Sequence, residues 1–225
     1  MKRQSIFIIV FLIVSVGDLV AAAISNQQLE LICKPLILLS LIGYYLASVE
    51  TRSFVFIRAL FFSWAGDVLL LFTSRSEIFF ITGLVAFLIS HLLFIQVFKQ
   101  HRNANIQNEL LGTQKVRYAL PIVLASTGLI VILFNSLGPL RIPVMAYALV
   151  LCVMALTALF RFGRTNSQSF WMVFAGALLF MGSDSLLAIN KFLNPIAGAG
   201  FIIMLTYIGA QFLIVEGILR HSKKA

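Results

Sequence analysis

Charge is what this sequence has least of. Only 11% of its 225 residues are charged and just 8 are acidic, whereas a water-soluble domain carries about a quarter of its residues as charges. A soluble globule is excluded on that ground. Cysteine is nearly absent too: Cys33 and Cys152 fall in separate apolar stretches, too few for a disulfide framework or a zinc cluster. His91 has no second histidine at ligand spacing, so no metal site is expected. No phosphate-binding loop or nucleotide motif occurs, and no organic cofactor is called for. The five prolines, Pro35, Pro121, Pro139, Pro143 and Pro195, are expected in early helical turns or loops. That leaves no helix broken at its midpoint, as transporter helices often are.

What is present is long apolar runs. Apolar residues make up 60% of the chain and the mean hydropathy is +1.01. A hydrocarbon core about 30 Å thick takes about 20 residues of helix to cross. Eight segments meet that length: 5–24, 32–49, 54–73, 78–98, 116–135, 141–160, 168–190 and 197–219. The expected fold is all-α, a polytopic membrane helix bundle of eight transmembrane helices forming one integral membrane domain over 1–225. The connections are short, so neighbouring helices should pack antiparallel. The longest, 99–115, is polar and divides the chain into four helices plus four.

Orientation follows from Lys and Arg. On the side of the N-terminus lie Lys2, Arg3, Arg52, Arg58, Lys99, Arg102, Lys115, Arg117, Arg161, Arg164, Arg220, Lys223 and Lys224; on the other lie only Lys34, Arg75, Arg141 and Lys191. That is 13 against 4, which places both termini in the cytosol of a plasma membrane of bacterial type. The net charge of +9 is thereby read as topology and contact with anionic lipid, not as nucleic-acid binding. A cleaved signal peptide ending near Ala21-Ala22-Ala23 is the competing reading of the N-terminus. Asp18 sits badly in such a segment, and the run is long enough to span.

Ionisable residues inside a membrane are costly and turn toward the bundle interior or a wet cavity. Here they are Asp18, Asp67, His91 and Asp184, with Lys34 near the start of helix 2 and Tyr207 and Gln211 in helix 8. At about 1.5 Å per residue, the three aspartates lie roughly 9 Å below the outer boundary and Lys34 about 3 Å. His91 falls deeper, roughly 20 Å. Asn190 and Lys191 close the outer end of helix 7. Three carboxyl groups at one level, with a lysine above, form a polar layer opening outward. A single intramembrane aspartate can equally be a helix contact, and Tyr207 can be plain packing. Each aspartate closely follows a glycine, at Gly17, Gly66 and Gly182, which would let helices approach one another.

These motifs together resemble the YhhN-type lysoplasmalogenase family of membrane proteins. The matching stretches are Lys34-Pro35-Leu36, Gly66-Asp67-Val68-Leu69-Leu70, and Gly83-Leu84-Val85-Ala86-Phe87-Leu88 with Ser90-His91. Helix 7 contributes Gly176-Ala177-Leu178-Leu179-Phe180, Ser183-Asp184-Ser185-Leu186-Leu187-Ala188, Asn190 and Phe192; helix 8 contributes Thr206-Tyr207 and Ala210-Gln211. The resemblance implies hydrolysis of the vinyl ether bond of a lysophospholipid, the lysoplasmalogen, to fatty aldehyde and glycerophospho-choline or -ethanolamine. The chemistry suits carboxylates: one acid protonates the alkene carbon, and a second carboxylate steadies the oxocarbenium ion and activates water. Asp67 and Asp184 are the expected catalytic pair. Lys34, Asp18, His91, Asn190, Tyr207 and Gln211 are the expected supporting or substrate-binding residues. Lys34 either holds the lipid phosphate or neutralises an aspartate. A transporter or proton-coupled permease, with the carboxylates as a relay, is the alternative.

Overall fold

The computed structural model describes residues 3–103 and 110–222. Lys2, Lys223, Lys224 and the centre of the 99–115 loop lie outside the described residues. Among these, eight α-helices follow one another: α1 (Arg3–Ile24), α2 (Gln27–Ser48), α3 (Phe54–Leu70), α4 (Glu77–Gln100), α5 (Gly112–Leu133), α6 (Arg141–Leu159), α7 (Ser167–Phe192) and α8 (Ala199–Ser222). Two 3₁₀ turns, Phe134–Ser136 and Gly138–Leu140, join α5 to α6. Seven helices are long and apolar enough to cross a membrane. α3 is the short one, with 17 residues followed by successive turns to Arg75.

Helix starts are set by polar caps rather than by where apolarity begins. Asn26 accepts the Leu29 N–H at 3.1 Å, Ser53 the Phe56 N–H at 3.4 Å and Asn166 the Ser169 N–H at 2.9 Å, each relieving an amide the first helical turn leaves unpaired. α2 therefore begins at Gln27, five residues ahead of its apolar run, with Gln27, Gln28 and Glu30 in the added turn. α5 likewise starts at Gly112. This corrects the expected place of two prolines: Pro35 and Pro121 lie inside α2 and α5. α2 runs through Pro35 unbroken, although that residue has no N–H to give the preceding turn. The Pro35 carbonyl accepts Trp64 Nε1–H from α3 at 3.1 Å.

Three hairpins, α1–α2, α3–α4 and α7–α8, hold the closest packing. Contacts α2·α3, α4·α6, α6·α7 and α1·α8 then close a ring of seven helices. α5 stands outside it, against α6, and is the least buried of the spanning helices. The polar loop thus does not separate two four-helix halves; α4 packs on α6 instead of on its chain neighbour. Phe56, Phe94, Phe98, Phe180 and Leu41 fill the ring, while Ile13, Val131 and Ile142 are among the large apolar side chains left on the outer faces. In the α7–α8 hairpin, a Cβ added at Gly176 would lie 2.9 Å from the Ala210 carbonyl oxygen, and one at Gly217 2.9 Å from the Val173 nitrogen. Two glycines on opposite helices let these backbones touch.

Candidate functional site

α4 and α7 run antiparallel through the ring. Phe80 meets Phe192 with ring centroids 5.8 Å apart, and about three turns further along α4 His91 meets Phe180 at 4.7 Å. This register sets His91 opposite Asp184. His91 Nε2 lies 3.1 Å from Asp184 Oδ2 and 2.9 Å from the Tyr147 hydroxyl of α6, which donates to the same carboxylate oxygen. His91 is fully buried, and its Nδ1 has no hydrogen-bond partner. The expected depth of His91, well below the aspartates, is therefore corrected. A helical Cα–Cβ bond leans toward the helix N-terminus. In antiparallel α4 and α7 those leans are opposite, so His91 and Asp184 reach toward one another across the gap that counting Cα positions suggests. The two extra residues at the end of α7, to Phe192, narrow it further.

A second group surrounds Asp67, in the last turn of α3. Tyr207 of α8 donates its hydroxyl to Asp67 Oδ2 at 2.7 Å. One turn on, Gln211 Nε2 lies 3.3 Å from the Tyr207 oxygen and 3.0 Å from Ser63 Oγ. Ser63 Oγ in turn is 2.7 Å from Ser90 Oγ, which donates to the Ala59 carbonyl at 2.8 Å. All these polar groups are buried. With its amide N–H groups spent on two oxygens, Gln211 leaves the Tyr207 proton one acceptor, the carboxylate. The chain of bonds stitches α8 to the α3–α4 hairpin and fixes Asp67 among apolar rings. Phe180 stands edge-on to Tyr207 at 5.4 Å and to His91 at 4.7 Å, and Phe87 stands edge-on to Tyr207 at 6.0 Å.

Lys34 is deeper than the sequence suggests. α2 starts at Gln27, so Lys34 stands seven residues in, roughly 10 Å along the axis. Its ammonium bonds Glu30 Oε1 at 2.9 Å, a partner expected neither as ligand nor as neutraliser. Asp18 is fully buried, and neither carboxylate oxygen has a hydrogen-bond partner. Lys34, Asp18 and Asp184 are all within electrostatic range of Asp67, yet no hydrogen bond joins the aspartates to each other among the described residues. Asn190 stands apart: its Oδ1 accepts the Ile196 N–H at 2.7 Å and ties down the α7–α8 turn. The glycines act unevenly. A Cβ on Gly17 would meet Cys33 Sγ at 2.8 Å and one on Gly66 the Phe87 ring at 2.6 Å, but Gly182 has nothing within 4 Å. The expectation that Gly182 brings Asp184 toward a neighbouring helix is thereby corrected.

Asp184 and Tyr147 form the polar part of the wall of a cleft between α4, α6 and α7, closed off by α5. Phe80, Leu84, Leu129, Val144, Leu187 and Phe192 supply its apolar walls. It holds about 40 Å³, room for little more than one water. A second apolar recess along α4 and α6, about 110 Å³, shares Leu84, Val144 and Tyr147 with it. Together they make an apolar seam ending on the Asp184–His91–Tyr147 cluster. No group of three or more metal-ligating side chains occurs among the described residues.

The YhhN family profile matches residues 29–218, which include every residue of both clusters. The chain belongs to the YhhN family. Human lysoplasmalogenase TMEM86B is 34% identical over 163 residues, 72% of this chain and 62% of that protein. The Mycobacterium tuberculosis lysoplasmalogenase is 31% identical over 163 residues, 72% and 59% of the two chains, and Bos taurus lysoplasmalogenase TMEM86A is 28% identical over 218 residues, 95% and 84%. The match thus spans about three-fifths of the human and mycobacterial relatives. No solved structure matches the chain. Within this YhhN protein, Tyr147, Ser63 and Glu30 escaped the sequence reading, and Ser90 entered it only beside His91 in a matching stretch. A tyrosine or serine in an apolar helix looks like packing, and only the fold reveals what it bonds.

Proposed function

We propose that this protein is a lysoplasmalogenase, hydrolysing the vinyl ether bond of a lysophospholipid within the membrane. One observation carries the reading: a carboxylate bonded to both a histidine and a tyrosine sits at the end of an apolar seam, and the Phe180 ring that touches that histidine also touches Tyr207, which holds a second carboxylate. The names of the relatives supply the substrate class. The seam takes the alkenyl chain, and α4 and α6 part to admit it, since the resting cleft holds only about 40 Å³.

The proton passes from the Asp184–His91–Tyr147 cluster to the second carbon of the alkenyl chain, whose π electrons form the new C–H bond. The positive charge then lies on the first carbon and its ether oxygen. Asp67, held as an acceptor by Tyr207, stabilises that charge. Water adds to the first carbon and returns a proton to the cluster. The hemiacetal collapses: its hydroxyl gives up its proton as the carbonyl forms, the bond from that carbon to the glycerol oxygen breaks, and the glycerol oxygen takes a proton in exchange. The proton count closes: one vinyl ether and one water give one aldehyde and one alcohol.

All eight helices span the bilayer in this reading, α3 with its 17 residues covering about 25 Å. Both termini face the cytosol of a plasma membrane, following the 13 to 4 division of Lys and Arg. Lys34 lies on the side where the head group enters, a point charge for its phosphate. The test is purified protein with lysoplasmalogen in water enriched in heavy oxygen. Free aldehyde and an unlabelled glycerol hydroxyl are expected. No aldehyde, or label in the glycerol oxygen, overturns the proposal.

A further inference from the structure

At the end of the bundle away from Asp18, α1, α2 and the α2–α3 connection enclose a groove of about 440 Å³ that the proposed activity does not use. Its walls are Ile6, Phe7, Leu46 and Ala47, and Arg3 and Arg52 flank it. Arg3 is fifteen residues from Asp18, roughly 22 Å along α1. Gly43 allows a close approach here: a Cβ there would lie 2.4 Å from the Phe7 ring, so the ring packs directly against the α2 backbone. Gln4 Nε2 bonds the Ala47 carbonyl at 2.9 Å and fixes the two helices at this level.

The two arginines are exposed, and neither has an ion pair among the described residues. Two like charges flanking one apolar groove repel unless an anion lies between them. A guanidinium presents a planar fork that matches phosphate. An apolar groove continuing from such a pair, at the level where a helix leaves the hydrocarbon, matches a phosphate joined to an acyl chain.

We propose that this groove binds an anionic phospholipid of the surrounding leaflet, its phosphate between Arg3 and Arg52 and one acyl chain along Ile6, Phe7 and Leu46. Basic pockets between membrane helices bind anionic head groups in this way. The lipid fastens α1 to the α2–α3 connection and stabilises the closed ring without touching the carboxylate clusters.

The test is thermal unfolding of the full chain in phosphatidylcholine vesicles with and without phosphatidylglycerol, using wild type, the double variant Arg3→Gln/Arg52→Gln and a control, Lys99→Gln/Arg117→Gln. The control removes the same charge from other exposed positions at the same end of the bundle. Wild type and control should unfold at a higher temperature with phosphatidylglycerol, and the groove variant should lose that gain. Equal loss in the control would reduce the effect to general surface charge and overturn the proposal. So would an undiminished gain in the groove variant. A matching gain from inorganic phosphate in phosphatidylcholine alone would assign the arginines to a free anion and overturn the lipid.

Discussion

At the scale of the residue, the proposed chemistry rests on two carboxylates held in different ways. Asp184 is bonded to a histidine and a tyrosine at a cleft; Asp67 is bonded to a tyrosine inside the packed ring. Asp67→Asn and Asp184→Asn keep size and a polar group, so both proteins should fold and insert. Each should lower kcat for aldehyde release by at least about a hundredfold, the lower range of general acid–base catalysis. The double variant should be little worse than the poorer single one, because groups that act as a unit are not additive. Asp18→Asn should cost far less. Near-normal turnover in folded single variants would remove the pair from the mechanism. Lys34→Ala should raise KM more than it lowers kcat if the ammonium holds phosphate, since binding common to ground and transition states would be lost. Unchanged KM would leave Lys34 a structural partner of Glu30. Asp67, His91, Asp184, Tyr207 and Gln211 were legible as polar exceptions in apolar runs. Their pairing was not, because a hydrogen bond across helices leaves no trace in spacing along one chain.

At the scale of the element, the sequence shows helices well and their ends less well. Apolar length marks what crosses the hydrocarbon, but Asn26 and Asn166 cap helices whose first turns are polar. That difference moved Lys34 from the boundary to a partly buried ion pair with Glu30 and put Pro35 inside α2. Depth counted along Cα positions misplaced His91 because side chains lean toward the N-terminus of their own helix. The glycines give a prediction at this scale. Gly217→Ala presses a Cβ against the Val173 backbone nitrogen and Cγ2 and should destabilise the protein by about 1–3 kcal/mol, the usual cost of overpacking. Gly182→Ala meets nothing within 4 Å and should be neutral or stabilising by up to about 1 kcal/mol through helix propensity. Thermal unfolding in detergent checks both. Equal effects at the two positions would contradict the close α7–α8 contact.

At the scale of the molecule, a ring of seven helices with α5 outside it could not be read from chain order. The polar 99–115 connection suggested two four-helix halves, and the packing instead set α4 against α6. The closure of α1 on α8 depends on faces that meet only when the whole chain is folded. Orientation, by contrast, rests on charge placement that is plain in the sequence. Reporter fusions within 99–115 and at the C-terminus should both report cytosol; an external 99–115 loop would invert the bundle and put Lys34 on the cytosolic side. The ring encloses the two carboxylate groups, the apolar seam ends on that of Asp184, and the proposed chemistry is that a proton delivered there attacks carbon. Aldehyde released from lysoplasmalogen by the purified protein in heavy water measures this directly. The account predicts one deuterium on the carbon next to the carbonyl, formed by wild type and nearly lost in folded Asp184→Asn. Aldehyde without that deuterium, or undiminished release by Asp184→Asn, would contradict it.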